Sequence, residues 1–310
     1  MGNSLSISQL LAGDAAQSLE RLDAQVLLLH ALGKGDANRS WLLAHDRDEV
    51  PASVINHYRA LAQRRAGGEP VAYITGHKEF FGLDLQVDAR VLVPRPDTET
   101  LVEWALAVLD LGIARGGIIS LGAGSGDDVL DLDAGRGDDV LDLGTGSGDV
   151  VLDLGTGSGA VALALKHARP EVRVYATDFS ADALAVAQAN AQRLKLDVHF
   201  SHSAWLCGVK GRCHLIVSNP PYIATQDPHL AALTYEPLLA LTSGDDGLDD
   251  IRCIIKQAPA HLHPQGWLLL EHGYDQAAFV RALLTAAGFN EVQSRLDLSG
   301  IARCSGGRAG

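Results

Sequence analysis

The chain has 310 residues, 47% of them apolar, enough to bury one large or two modest cores, so a peptide scaffold or a disordered chain is excluded. Its formal charge of −13, from 25 Lys and Arg against 38 Asp and Glu, argues against a protein that grips nucleic acid mainly by neutralising phosphates. Cys207, Cys213, Cys253 and Cys304 show neither C-x-x-C spacing nor a disulfide ladder, no apolar run approaches the ~20 residues that span a bilayer, and no signal core follows the start, so a cytoplasmic chain with reduced thiols is expected.

Residues 1–76 read as helical. Leu19, Leu22, Val26 and Leu29 recur at three and four, and Val54, Tyr58 and Leu61 do so again after Pro51, which suits a first helical position. A small helical domain is expected there. Gly67-Gly68 closes its last long helix, and Glu79 to Val93 then carries Phe80, Phe81, Leu83, Leu85 and Val87 in the alternation of a β-hairpin connector, placed at 77–97. Past Pro94-Arg95-Pro96, helical spacing returns from Thr98 to Leu111. Short β-rich runs (Val172–Thr177, Leu215–Ser218, Trp267–Leu270) then alternate with helical ones (Ala160–Ala168, Ala181–Leu194, Asp275–Ala287). That rhythm predicts a doubly wound, Rossmann-like α/β domain over 98–310.

An 11-residue repeat interrupts it: IISLGAGSGDD (118–128), VLDLDAGRGDD (129–139), VLDLGTGSGDV (140–150) and VLDLGTGSGAV (151–161) follow head to tail. The first three hold eight Asp and one Arg, and so supply −7 of the −13. Calcium-binding β-rolls also repeat Asp and Gly, but with a different period and glycine pattern. A strand and a glycine turn need a helix after them to complete a βα unit. Behind Gly148 comes Asp-Val-Val-Leu-Asp-Leu-Gly, a poor helix, whereas behind Gly159 comes Ala-Val-Ala-Leu-Ala-Leu-Lys-His-Ala, a strong one. The working copy is therefore the fourth, and 118–150 is expected as an inserted acidic loop whose deletion preserves ligand affinity.

The turn Gly155-Thr156-Gly157-Ser158-Gly159 lets backbone N–H groups approach a ligand at a helix N-terminus. Its spacing differs from the dinucleotide fingerprint and suits the methionine carboxylate and ribose of S-adenosylmethionine. Asp178 ends the next strand, where a carboxylate can accept both ribose hydroxyls. Asn219-Pro220-Pro221-Tyr222 directly follows the apolar run Leu215–Ser218. An amide nitrogen is a poor nucleophile because its lone pair is delocalised, so an enzyme that alkylates one must hold its N–H groups. The Asn219 side-chain carbonyl and the Pro220 backbone carbonyl are two acceptors in a pose that the prolines stiffen, with Tyr222 set against the planar substrate group. His272 beside Glu271 has no partner visible in the sequence and reads as structural; the scattered histidines give no metal-ligand spacing, so no metal is expected.

With these motifs come, in order, Gly68-Glu69-Pro70-Val71-Ala72-Tyr73-Ile74-Thr75-Gly76, Val93-Pro94-Arg95-Pro96-Asp97-Thr98-Glu99, Tyr235-Glu236-Pro237, Gly247-Leu248, Leu270-Glu271-His272-Gly273 and Asp297-Leu298-Ser299-Gly300-Ile301-Ala302-Arg303. Over almost its whole length the sequence resembles the peptide chain release factor N5-glutamine methyltransferases of the PrmC/HemK type. The resemblance implies a class I methyltransferase domain that uses S-adenosylmethionine to methylate the side-chain amide of the glutamine in the Gly-Gly-Gln loop of class 1 release factors, docked with help from the helical domain. It implies cofactor contacts at Gly155, Thr156, Gly157, Ser158, Gly159, Asp178, Trp205 and Asn219, and a substrate clamp of Asn219, Pro220, Pro221 and Tyr222 with Asn219 and Pro220 carrying the chemistry. Where the family commonly has Ser-Asp-Trp, this chain has Ser203-Ala204-Trp205, which should weaken adenine recognition.

Three rival readings are a glutamine methyltransferase of a large-subunit ribosomal protein, a nucleic-acid exocyclic-amine methyltransferase, and a non-catalytic binding protein. Arg95-Pro96-Asp97-Thr98-Glu99 favours the release-factor branch over the first. The second needs a basic surface, which the −6 left outside the repeats disfavours, so neither direct nucleic-acid contact nor a membrane partner is expected. Against the third stands the intact Asn219-Pro220-Pro221-Tyr222.

Overall fold

A computed structural model of the protein describes residues 5–35, 39–114, 140–144 and 148–310. In the N-terminal helical unit, α1 (Arg21–Ala31) and α2 (Ala52–Ala66) pack with shorter helices around Leu27, Leu28, Tyr58 and Leu61. Arg65 Nε meets Asp23 Oδ2 at 2.6 Å and ties the two helices together. Leu22, expected on the apolar stripe, is instead 49% exposed. Helix α1 packs against α2 and against the Arg39–Ala44 and Val71–Thr75 helices, so its buried surface is Ala24, Leu27, Leu28 and Leu29, and first-turn Leu22 reaches past it.

The hairpin is shorter than the alternation suggested. Strands β1 (His77–Phe80) and β2 (Leu83–Gln86) join through Phe81 and Gly82, whose φ values of 50° and 78° are those of the primed turn that matches strand twist. The ladder ends at left-handed Gly76 (φ 78°), whose carbonyl takes Val87 N at 3.1 Å, and on the outer side of β2 Gln86 N donates to Asn190 Oδ1 at 2.8 Å and Asn190 Nδ2 donates to Gln86 O at 3.0 Å.

After α3 (Glu99–Ala114) the α/β portion contains β3 (Leu141–Asp142), β4 (Val150–Leu154), α4 (Ala160–Ala168), β5 (Arg173–Asp178), α5 (Ala181–Leu194), β6 (Val198–His202), β7 (Val209–Lys210) and β8 (Cys213–Ser218). It continues with α6 (Asp249–His261), β9 (Leu262–Glu271), α7 (Ala277–Ala286), β10 (Asn290–Leu296) and β11 (Ala302–Arg308). Helix α7 starts at Ala277 rather than Asp275 because the Gln276 side chain accepts from Gly273 N at 2.8 Å and holds the preceding turn.

Seven strands form one sheet in the order β10-β11-β9-β8-β4-β5-β6. Strands β9, β8, β4, β5 and β6 are parallel, and β11 runs antiparallel to β9 and β10. Apolar side chains cover both faces, so all five residues of β4 are buried, as a parallel strand between two helical layers requires. The chain runs outward from β4 through β5 to β6 and then returns to β8 on the other side of β4. That reversal opens a crevice at the carboxyl ends of β4 and β8, where doubly wound sheets place their ligands.

The first two copies of the repeat, 118–139, fall outside the described residues. The third is not simply loop. Its Leu141 and Asp142 pair in parallel with Val209 and Lys210, and Leu141 and Leu143 are buried. Leu143 O accepts the Tyr175 hydroxyl and Arg173 Nη1, both at 3.2 Å. Two leucines in an alternating tripeptide gain burial beneath the sheet, and the free backbone groups around β7 supply the partners that a loop would lack.

Candidate active site

At the end of β4 the glycine turn is built on left-handed backbone. Gly155, Gly157 and Gly159 have φ of 69°, 57° and 84°. Each excludes a side chain differently. A Cβ on Gly155 would come within 3.2 Å of the Trp205 ring, and one on Gly159 within 3.0 Å of Leu163 and 3.3 Å of Ala187, while at Gly157 the constraint is φ alone. Gly155 N and Thr156 N both donate to Thr177 O at 2.9 Å, so the turn leans on β5. Ser158 O receives Asn190 Nδ2 at 3.0 Å, linking the turn to the hairpin through one buried amide.

Beneath the turn lies Asp153, 2% exposed, whose Oδ2 accepts the Thr156 hydroxyl at 2.7 Å and Ala162 N at 3.2 Å. Burial pushes its carboxyl up to about 7, against the pull of those two donors. Asp178 sits across the crevice at the end of β5. Its Oδ2 accepts Gly157 N and its Oδ1 accepts Ser180 N, each at 2.8 Å. Burial raises its carboxyl above the usual range despite those bonds.

A cavity of about 360 Å³ joins these groups and is lined among others by Gly155, Asp178, Trp205, Asn219 and Asp250. Trp205 holds its indole over Gly155 from a left-handed backbone (φ 55°) and donates Nε1–H to Asp250 Oδ1 at 3.1 Å. The carboxylate absent at Ala204 therefore has a counterpart in the same cavity wall, supplied by the first turn of α6. Nothing local in the sequence marks Asp250; only the packing of α6 brings it to Trp205.

On the other side, Ser218 Oγ donates to Leu154 O at 2.7 Å and locks β8 to β4 where Asn219-Pro220-Pro221-Tyr222 begins. The four residues do not share one environment. Asn219 and Pro221 line the large cavity, while Pro220 is buried and lines neither it nor the smaller one beside it. Tyr222 faces that smaller cavity of about 100 Å³, together with Arg95, Asn219, Leu233 and Leu241. Asn219 thus stands where the two cavities meet. Its Nδ2 donates to Thr98 Oγ1 at 3.2 Å, and the Tyr222 hydroxyl donates to Glu271 Oε1 at 3.3 Å. Burial holds the Tyr222 hydroxyl well above its usual range and pushes Glu271, 1% exposed at the end of β9, up to about 7. Gly247 permits this arrangement, since a Cβ there would lie 2.2 Å from Tyr222 O.

His272 is fully buried with both ring nitrogens engaged: Nδ1 faces Gly273 O at 2.9 Å and Nε2 faces Ser305 Oγ at 2.8 Å. Burial lowers its pKa, and the partners that the sequence did not reveal leave it no free nitrogen. Further residues tie the site to the N-terminal half. Arg95 pairs with buried Glu236, whose Oε2 accepts Val93 N at 3.1 Å, and the Tyr235 hydroxyl donates to Gly67 O at 3.3 Å. The paired motifs held a signal for the first contact, an arginine in one and a glutamate in the other; nothing in either indicated that they touch.

A doubly wound sheet with a glycine turn on its central strand and a polar pocket at its reversal point is the frame of an S-adenosylmethionine-dependent methyltransferase, and comparison with known proteins agrees. Residues 143–235 match the Methyltransferase small domain and residues 7–76 the PrmC N-terminal domain. The release factor glutamine methyltransferase of Burkholderia pseudomallei is 45% identical over 94% of this chain and 93% of its own length. That of Escherichia coli is 38% identical over 98% of this chain and 96% of its own. A solved methyltransferase from Pyrococcus furiosus is similar with a TM-score of 0.49 at 17% identity, over 80% of this chain and 97% of its own. The chain belongs to the release factor glutamine methyltransferase family.

S-adenosylmethionine fits the residues present. The bare Gly155 and Gly157 keep open a cradle that Cβ atoms would narrow or strain, and an aromatic ring and two carboxylates stand around it.

Proposed function

We propose that this protein methylates the side-chain amide of the glutamine in the Gly-Gly-Gln motif of class 1 peptide chain release factors. The observation that carries the reading is the place of Asn219, at the junction of a cavity beside the glycine turn and a smaller one beside Tyr222. In this reading Gly155, Thr156, Gly157, Ser158, Gly159 and Asp178 hold the methionine and ribose portions of S-adenosylmethionine, and Trp205 with Asp250 flanks its adenine. Bound there, S-adenosylmethionine supplies an electrophilic methyl carbon on a sulfonium.

The protein's own residues do the rest by positioning. With Nδ2 of Asn219 engaged by Thr98, its Oδ1 is the free end, an acceptor for one N–H of the substrate amide. Pro220, which lines neither cavity, is given no substrate contact; with Pro221 it keeps φ fixed so that the Asn219 acceptor holds its place. Held through that N–H, the amide presents its nitrogen face toward the turn. The small cavity beside Tyr222 is assigned to the glutamine side chain. Once alkylated, the nitrogen is acidic enough to release its proton to water, so no general base is named. The helical unit, bound to the site's own loop through Tyr235 and Gly67, is assigned to docking the release factor. The proposed setting is the cytoplasm, in keeping with four free cysteines. No membrane or nucleic-acid partner is assigned.

The test is transfer of label from S-adenosylmethionine to a release factor, to the same factor with its motif glutamine changed to alanine, and to ribosomal RNA. Label on the first alone is expected; label on RNA and not on the release factor overturns the reading. Asn219→Ala should lower turnover ~100-fold or more while cofactor affinity stays within about tenfold. Unchanged turnover would refute the role given to Asn219.

A further inference from the structure

The clamp leaves one matter open: an asparagine amide has an acceptor end and a donor end of nearly equal shape, and only one of them can serve a substrate N–H. Behind Asn219, Thr98 is 4% exposed and its Oγ1 faces Asn219 Nδ2 at 3.2 Å. The Thr98 hydroxyl also lies against the Glu271 carboxylate. Oε1 of that carboxylate receives the Tyr222 hydroxyl, while the buried Oε2 has no hydrogen-bond partner among the described residues and is the open acceptor. An ionised carboxylate can only accept, so the single Thr98 proton is drawn to Glu271. What remains of the Thr98 oxygen toward Asn219 is lone pairs, and a group facing lone pairs must donate. The NH2 end of Asn219 is therefore held at Thr98 and the carbonyl end is turned to the cavities. A flipped amide would set two acceptors against each other in a buried place, which is costly.

We infer that Thr98 and Glu271 are positioning residues of the methyl transfer: the open acceptor of the buried Glu271 carboxylate orients the Thr98 hydroxyl, and Thr98 in turn fixes which end of Asn219 faces the acceptor amide. The inference rests on the reading of Asn219 as the acceptor for a substrate N–H. It explains why a buried acid stands at the end of β9 behind a tyrosine and a threonine with no basic side chain bonded to it among the described residues. It also gives the chain a pH dependence. Glu271 faces Thr98 and Asp97 from the turn ahead of α3, Tyr222 from the clamp, and Arg303 and Cys304 from β11. With its carboxyl pushed up to about 7, it is protonated in mild acid, becomes a donor itself and no longer dictates the direction of the Thr98 proton.

The test compares Thr98→Val, which keeps the shape and removes the hydroxyl, with Thr98→Ser, which restores it, and with Glu271→Gln. Measured for each are kcat and KM with the release factor, cofactor affinity, and kcat against pH from about 5.5 to 8.5. Thr98→Val is expected to lower kcat by roughly tenfold to a hundredfold with cofactor affinity and KM within about threefold, and Thr98→Ser to recover it to within about threefold of the parent. In the parent, kcat should rise with pH through about 7, and Glu271→Gln should lose that step. A Thr98→Val enzyme with unchanged kcat, a loss matched by an equal loss of cofactor affinity, a loss that serine does not recover, or a pH step that survives in Glu271→Gln would each overturn the inference. A parent enzyme that leaves the glutamine unmethylated would instead overturn the functional reading beneath it.

Discussion

The nonapeptide Val-Leu-Asp-Leu-Gly-Thr-Gly-Ser-Gly occurs twice in this chain, at 140–148 and 151–159, and the two copies adopt different structures. In the second, Val151 to Leu154 pairs with β8 on one side and β5 on the other, Asp153 is buried under the turn, and Gly159 caps α4. In the first, among its described residues Leu141 and Asp142 alone pair, with β7; Asp142 is exposed and its Oδ1 accepts Gly144 N at 2.9 Å. Leu143 and Leu154 are nevertheless both fully buried. Local propensity is identical, so the difference comes from the residues just after each copy, Asp149-Val150 entering a strand or Ala160-Val161 entering a helix, and from which strands are near enough to pair.

Substitutions at matched positions sharpen this contrast. Leu154→Ala, in the middle of the sheet, should cost about 4 kcal/mol in chemical denaturation, and Leu143→Ala, at its underside, about 2 kcal/mol. Equal losses would mean that the third copy is as integral to the core as the fourth. Gly155→Ala forces a left-handed alanine against the Trp205 ring and should weaken S-adenosylmethionine binding ~100-fold, or about 2.7 kcal/mol, by calorimetric titration. Gly144→Ala, with φ of 64° and, among the described residues, just the Arg173 side chain nearby at 3.5 Å, should change that affinity by less than about twofold. A weakened Gly144→Ala would place the ligand against the wrong copy.

Deleting 118–150 should hold cofactor affinity within about threefold yet lower stability by about 2 kcal/mol, because Leu141 and Leu143 leave the core and Tyr175 loses its carbonyl partner. A deletion that folds as stably as the parent would return the third copy to the status of a loop. The last effect is on pH. Asp153 has a folded-state pKa raised to about 7 from 3.8, so its contribution to stability is complete below about pH 4 and is lost as the pH rises through about 7. Relative to Asp153→Asn, which keeps an acceptor for Thr156, the parent should lose stability across that window, at no more than about 1.4 kcal/mol per pH unit. A parallel course of the two melting temperatures from pH 4 to 8 would contradict the burial of that charge.

Much of the fold was legible because its signals are local. Helices α4 and α5 begin and end where the sequence placed them: Gly159 starts the first, the Ser180 side chain accepts Ala183 N to start the second, and Lys195 closes it in the left-handed region. Leu22 failed because a 3.6-residue stripe does not say which neighbours a helix will have. Tyr222 and Pro220 stand in the expected motif but not at the large cavity, since a motif gives spacing along the chain and not the direction of each group. Asp250, Thr98 and Glu271 carried no local mark of their contacts with Trp205, Asn219 and Tyr222.

By itself, the sequence determined the alternation of strands and helices, the glycine turn that a helix can complete, and the place of Asn219-Pro220-Pro221-Tyr222 directly after an apolar strand. These rest on interactions between residues a few positions apart, where propensity, φ and periodicity suffice. The tertiary structure alone decided which carboxylate stands at Trp205, which hydroxyl holds Asn219, and that a surplus copy of the turn would lend two leucines to the core. Those are contacts between segments far apart in the chain, set by sheet order and helix packing, and no local pattern encodes them.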